Sequence, residues 1–165
     1  METHNQKLTP KSFLNTLAIF HLAFTFAPLA FGLFVLYTMN ESKLNFDNFA
    51  DPLLYILIAV GVVSFFLSNY LYKMHIKSLK EKPSLREKIS GFQAAIIVSF
   101  TPLEGASLLA TFAADNYSNI FYLIVSAALI CCIFYRRPTK DKIARDLELN
   151  RAQKNQFNKN EEFID

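Results

Sequence analysis

One carboxylic acid holds most of the chemical interest of this chain. Glu104 stands past the midpoint of an apolar run, residues 89–113, that is long enough to cross a bilayer. An ionisable group at that depth costs roughly 2.5–3.5 kcal/mol on insertion scales, so it is expected to face protein or a water-filled cavity. On a helix, Gln93, Ile97, Thr101, Glu104, Ser107 (or Leu108) and Thr111 recur at three- and four-residue spacing, which makes a mostly polar stripe. Pro102 brings no amide donor and frees the carbonyl of Val98. Kink, acid and hydroxyls together make Glu104, Thr101 and Ser107 candidates for holding a proton or a cation.

Two functions are compatible with that constellation. In the first, a protonated Glu104 hydrogen-bonds across the bundle, for example to Ser64 or Ser126, as the buried polar centre of a non-enzymatic accessory or self-associating subunit. In the second, Glu104 is the binding carboxylate of a small proton- or cation-coupled transporter or channel subunit. The first is preferred, because no second intramembrane charge is available to pass a proton on. Gly105 would permit close helix contact under either.

His21 is the fourth candidate. It lies ~12 Å into its own apolar run and Glu104 ~22 Å into another, counted from the same side, so a direct pair is not expected. A histidine packed against Ser64, Ser68 or Asn69 is expected instead. His75 and His4 fall at other levels, which argues against a bis-histidine haem, and no cofactor is expected. Cys131 and Cys132 are adjacent and point about 100° apart on a helix, so neither a disulfide between them nor a shared metal is expected. No phosphate loop, Gly-x-Ser-x-Gly, His-Glu-x-x-His or Cys-x-x-Cys occurs, which weakens the case for an enzyme.

The elements that must position these residues are apolar on every face. The chain has 165 residues, 52% of them hydrophobic, and its apolar blocks lie at about 13–38, 53–74, 89–113 and 118–135. The expected fold is therefore all-α, a four-helix transmembrane bundle in residues 1–137, followed by a polar tail, 138–165. Thr9-Pro10 and Asp51-Pro52 read as helix starts, and Ser84-Leu85-Arg86-Glu87 fits a capping box. The short turn Ala114-Asp115-Asn116-Tyr117 makes the last two spans antiparallel neighbours.

Charge distribution sets the expected orientation. Lysines and arginines number two in the amino-terminal arm, one in the first loop, six in the second, none in the third and eight from Arg136 onward. Both termini and the second loop are thus expected to be cytoplasmic. The basic face is expected to meet anionic lipid head groups, with no role in binding nucleic acid. Beyond the bilayer, the expected partner is a membrane protein or a second copy of this chain. Ile143 and Leu147 give the tail one narrow apolar stripe, consistent with a short helix on the membrane surface or docked on the inner loop. The stretch from Asn150 onward, rich in Asn, Gln, Lys and Glu, is expected to be mobile at its end.

The string Pro102-Leu103-Glu104-Gly105-Ala106-Ser107-Leu108-Leu109-Ala110, followed by Arg136-Arg137-Pro138-Thr139-Lys140-Asp141-Lys142-Ile143-Ala144-Arg145-Asp146-Leu147-Glu148-Leu149, resembles small uncharacterised four-span inner-membrane proteins of Bacteroidetes-type bacteria. The resemblance covers the last two spans and the tail, and it implies an inner-membrane location. Glu104, followed by small residues, is also similar to the membrane glutamate of the proteolipid c subunits of rotary ATP synthases, which points toward proton binding. Gly61 is the only glycine in the second span, where that family uses a repeated glycine ladder.

Overall fold

The computed structural model describes residues 8–39 and 51–164. It is helical throughout, with no strand among the described residues. Four longer helices, α1 (Pro10–Thr38), α2 (Pro52–Lys80), α3 (Leu85–Tyr117) and α4 (Ile120–Tyr135), are followed by two short ones, α5 (Lys140–Asp146) and α6 (Arg151–Asn158). The first three are long and apolar enough to cross a membrane, and the count rises to four if the bent pair α4 and α5 is one span. The first loop lies mostly outside the described residues, and so does Lys7.

Local chemistry explains where the helices begin. Thr9 caps α1 in a reciprocal box with Ser12, and Pro10 takes the first helical position, where its missing amide is no loss. Asp51 caps α2 through Leu53 N–H, with Pro52 next. Ser84 precedes α3 as expected, yet its side chain makes no capping bond to that helix. Asn119, Thr139 and Asn150 cap α4, α5 and α6.

α2 differs from expectation, continuing past Met74 to Lys80, while α3 begins at Leu85 as the Ser84 start implied, so both helices overshoot their apolar runs. Polarity marks where a hydrocarbon boundary falls, whereas a helix ends only where the backbone is broken. Lys, Leu and Ser do not break it, while Pro83 does. For the same reason Ala114 to Tyr117 stays helical, and the turn moves to Ser118 and Asn119. Ser118 takes the left-handed conformation there, at φ 55°, and its amide bonds Ala114 O at 2.8 Å.

α3 is the inner helix. It packs along α1, α2 and α4, while α1 and α2 each touch α3 and α4 and so take opposite corners. Half of the apolar window of α3 (50%) is buried, against 22% for α1 and for α2. Many of its inward positions are small: Ala95, Ser99, Ala106, Ser107, Ala110 and Ala114 are all buried, among larger ones such as Phe92, Ile96, Phe100 and Leu103. Small residues let helix backbones approach, which is the main source of association between helices in lipid. The outer corners carry the bulk. Ile19, Leu22, Phe26, Leu33 and Phe34 of α1, and Ile56, Val63, Phe66 and Tyr70 of α2, point outward and are exposed. An apolar belt of that extent is foreign to a water-facing monomer and suits a hydrocarbon solvent.

The tail is not a loose appendage. α5 turns 79° from α4, and the chain then crosses the end of the helices where the lysines gather. Ile143, Leu147, Leu149, Phe157 and Ile164 are all buried, in one cluster with Phe13, Leu17, Ile76, Leu79, Leu85, Ile89 and Phe92. Backbone bonds fasten it to the start of α1, from Ile164 N–H to Leu8 O at 3.0 Å and from Lys11 N–H to Asn160 O at 3.1 Å. The Lys80–Glu148 ion pair (2.6 Å) and the bond from Gln153 Nε2 to Pro83 O (3.1 Å) tie it to the α2–α3 turn. Docking on the α2–α3 turn is thus the arrangement found. The expectation of a mobile end from Asn150 fails for a physical reason, namely that sparse apolar residues in a polar stretch have found partners at the overshooting helix ends.

Candidate functional site

The polar stripe of α3 divides in two. Ser107 and Glu104 lie about 60° apart around the helix, and that angle separates a covered flank from an open one. Ser107, Thr111 and Ser126 of α4 are fully buried. Ser107 Oγ and Thr111 Oγ1 each lie 2.8 Å from Ser126 Oγ, and Thr111 Oγ1 donates to Ser107 O at 3.0 Å. With one proton per hydroxyl, a single assignment satisfies all three: Ser107 donates to Ser126, Ser126 to Thr111, and Thr111 to the Ser107 carbonyl. The result is a closed hydrogen-bond ring that joins α3 to α4. Every proton in it is used.

Glu104 lies on the open flank. It is half-buried, and among the described residues it makes no hydrogen bond and no ion pair. Ser126, one of its expected partners, is engaged in the ring instead. Thr101, one turn earlier, is exposed and donates its hydroxyl to Ile97 O at 2.9 Å within its own helix. Gly105 is also exposed, and a methyl group added there would meet nothing within 4 Å. The close helix contact expected at Gly105 does not occur among the described residues. Where α3 does come close to α2 is Gly91, whose added methyl would fall 2.2 Å from Leu79 Cδ2. α3 runs helical through Pro102, and α1 likewise through Pro28.

His21 is buried, hydrogen-bonded and packed, as expected, though against different partners. Its Nε2 lies 3.1 Å from Ile133 O, so Nε2 carries the proton. That carbonyl belongs to the last turn of α4 and also accepts the capping Arg136 N–H at 3.0 Å, so His21 takes its second acceptor position. The ring meets Phe100 edge-on and Phe134 at a tilt, with centroids 5.9 and 6.3 Å away. Ser68 of α2, expected near His21, instead receives the Arg136 guanidinium at 2.5 Å. His21 therefore joins α1 to α4 at the level of Phe100, about one turn from Glu104.

Two polar groupings escaped the sequence reading. At the end opposite the tail, Tyr122 donates its hydroxyl to Asp51, which holds that carboxyl below its ordinary range, with the Leu53 amide adding to the effect. Asn119 caps α4 through its oxygen, while its buried amide nitrogen has no partner among the described residues. At the basic end, Tyr72 donates to Asp146 at 2.6 Å, and Arg136, Lys142 and Asn69 line a cavity beside it. No spacing rule links positions so far apart in the chain. The only clue was polarity interrupting apolar helix, at Asn69 and Tyr72. Both cysteines are free, and no three of His, Cys, Asp and Glu gather as a metal site among the described residues.

In chemical terms the hydroxyl ring and His21 act as fasteners, and Glu104 is an acid within a long apolar helix left without a hydrogen bond or ion pair among the described residues. Set against models of protein families, curated proteins and solved structures, the chain matches none, so its function has to be argued from its own residues.

Proposed function

We propose that this is a multi-pass protein of a bacterial inner membrane with no enzymatic role, a self-associating or accessory subunit that uses the Glu104 flank of α3 as its contact. The observation that carries the reading is the unpartnered, half-buried carboxyl itself. A carboxyl at membrane depth requires protein or water beside it, and the described residues supply no partner. Thr101 and Gly105 adjoin it on the open flank, one able to accept a hydrogen bond and the other leaving room for a neighbouring backbone. A second copy, or another membrane helix with a donor at that level, completes the site.

The charge pattern supports the orientation with both termini and the α2–α3 turn in the cytoplasm. α4, at 16 residues and thus ~24 Å, is short for a ~30 Å core, and the exposed Arg137 at its end can snorkel to the interface. The lysine-rich end then meets anionic head groups.

The experiment compares Glu104→Gln with Glu104→Ala in lipid nanodiscs, reading subunit number and retained partners by mass. Glutamine keeps hydrogen bonding at the contact and should assemble as the parent does, whereas alanine should dissociate the assembly. The parent chain remaining a lone monomer with nothing retained would overturn the reading. So would a Glu104→Gln protein that assembles normally yet has lost a pH-dependent ion flux in vesicles, which is the signature of a proton or cation carrier.

A further inference from the structure

A second site lies at the basic end, independent of Glu104. Between α2, α3 and the start of the tail is a cavity of about 150 Å³, lined in part by Asn69, Tyr72, Ser99, Phe100, Arg136 and Lys142. Its volume equals about five waters at ~30 Å³ each, or one tetrahedral oxyanion with a water or two. Ser99 turns its proton to Ile96 O at 2.9 Å, and Tyr72 gives its own to Asp146 at 2.6 Å.

Two cations border this space and neither has a counter-ion. Arg136 donates to Ser68 Oγ at 2.5 Å and lies 5.0 Å over the Phe65 ring, both neutral groups. Lys142 Nζ reaches only Arg136 O, at a long 3.4 Å, and sits 5.8 Å from the Tyr72 ring centroid. Among the described residues neither enters an ion pair, although Lys11, Lys80, Arg145 and Lys159 on the surface all do. The one acid close by, Asp146, is occupied by Tyr72 and by Arg145 Nε at 3.4 Å. Both cations are half-buried, and burial pushes the Lys142 ammonium below its ordinary pKa, with Asp146 opposing and Arg136 and Arg145 adding to the fall. Guanidinium has five N–H groups and ammonium three, so most donors here are unused.

We propose that this cavity binds a phosphate group, held by Arg136 and Lys142 with the Asn69 amide as a neutral donor. An oxyanion supplies the acceptors and the negative charge that the cavity lacks, and a guanidinium matches two phosphate oxygens at once. The phosphate comes from a phospholipid head group or from free inorganic phosphate, two sources with one recognition chemistry.

The test uses the full chain in nanodiscs. In one arm the lipid is zwitterionic, and inorganic phosphate is titrated against chloride at equal ionic strength. In the other, phosphatidylglycerol is mixed in and the lipids retained are counted by native mass spectrometry. Lys142→Gln removes one charge-assisted contact and should weaken binding about tenfold or more. Asn69→Leu keeps both charges but blocks the space, and should weaken it comparably. Lys77→Gln, an exposed lysine of the same end, should bind as the parent does. A response in the first arm names free phosphate as the source, and one in the second names the lipid head group. The proposal is overturned if neither probe binds above chloride. Lys77→Gln losing as much as Lys142→Gln overturns it too, as does unaltered binding by Asn69→Leu.

Discussion

Replacing Phe157 by alanine is the sharpest test of the tail as a structural part of the bundle. Phe157 is the one buried residue of α6, 1% exposed, and its ring meets Phe13 edge-on with centroids 6.4 Å apart. Truncating a ring in a closed core costs ~3–5 kcal/mol. An eight-residue helix has almost no stability by itself, so that loss falls on the equilibrium between docked and released tail. At about 1.4 kcal/mol per factor of ten, the released fraction should rise at least ~10²-fold, until release is complete. Trypsin reports it directly, because Arg151, Lys154 and Lys159 flank the site and are exposed. Where redocking outpaces cleavage, the cutting rate follows that fraction. Phe157→Ala should be cut at these positions ~10²-fold faster, with the helical signal of the long helices retained. Asn155→Ala, on the exposed side of the same helix, should be cut at the parent rate. If Phe157→Ala is cut no faster than Asn155→Ala, the ring contributes nothing to docking and the packed tail is wrong.

Two further predictions concern the polar fasteners. Ser126→Ala opens the hydroxyl ring and should lower unfolding stability in micelles by ~1 kcal/mol, in the range measured for interhelical hydrogen bonds in membranes. Adding Ser107→Ala should then change little, and additive losses would show that the three hydroxyls do not act as a unit. The other prediction is pH dependence. Asp51, held down by Tyr122, and Glu148, held down by Lys80, both have folded pKa values below their ordinary 3.8 and 4.5. The unfolded chain therefore binds more protons in that range, so their contribution is level above pH 4.5 and is lost as pH falls through the lowered folded values. Melting curves of Asp51→Asn and Glu148→Gln should show a shallower acid decline than the parent, and identical declines would count against both contacts.

How much of this was legible in the sequence depends on the range of the interaction. Helix positions follow from runs of apolar residues and from caps one to three residues away, and Thr9-Pro10, Asp51-Pro52 and Ser84 all mark helix starts. What the pattern missed is set by contacts between distant segments. Phe157 and Ile164 are isolated apolar residues among Asn, Gln and Lys, with no period to flag them, and their partners Phe13 and Leu8 lie at the other end of the chain. The helical stripe through Thr101, Glu104 and Ser107 was a correct reading of spacing. Which part of it is covered depends on where α4 packs, and Ser126 settles that in favour of Ser107. His21 was legible as a packed histidine but not as a partner of Ile133, because a backbone carbonyl has no sequence signal.

The two kinds of glue in this chain follow from the two solvents it meets. Between helices in hydrocarbon there is no hydrophobic gain, since lipid tails are as apolar as leucine, so association rests on close packing and on hydrogen bonds. α3 accordingly carries its small residues inward, and its seam with α4 is closed by Ser107, Thr111 and Ser126. At the basic end, where α2 and α3 overshoot their apolar runs, water returns and the hydrophobic effect operates again. There the buried side chains are large: Phe13, Phe92, Phe157, Ile143 and Leu147. The tail converts that end into a small water-soluble core set beneath the apolar helices. Its burial of Lys88, whose Nζ reaches Leu147 O at 3.3 Å, is part of the same arrangement, since a lysine there can bury its stem while its head bonds the docked backbone. A loss of packing at the tail should therefore loosen the ends of α1, α2 and α3 first and leave the hydroxyl-bonded middle intact.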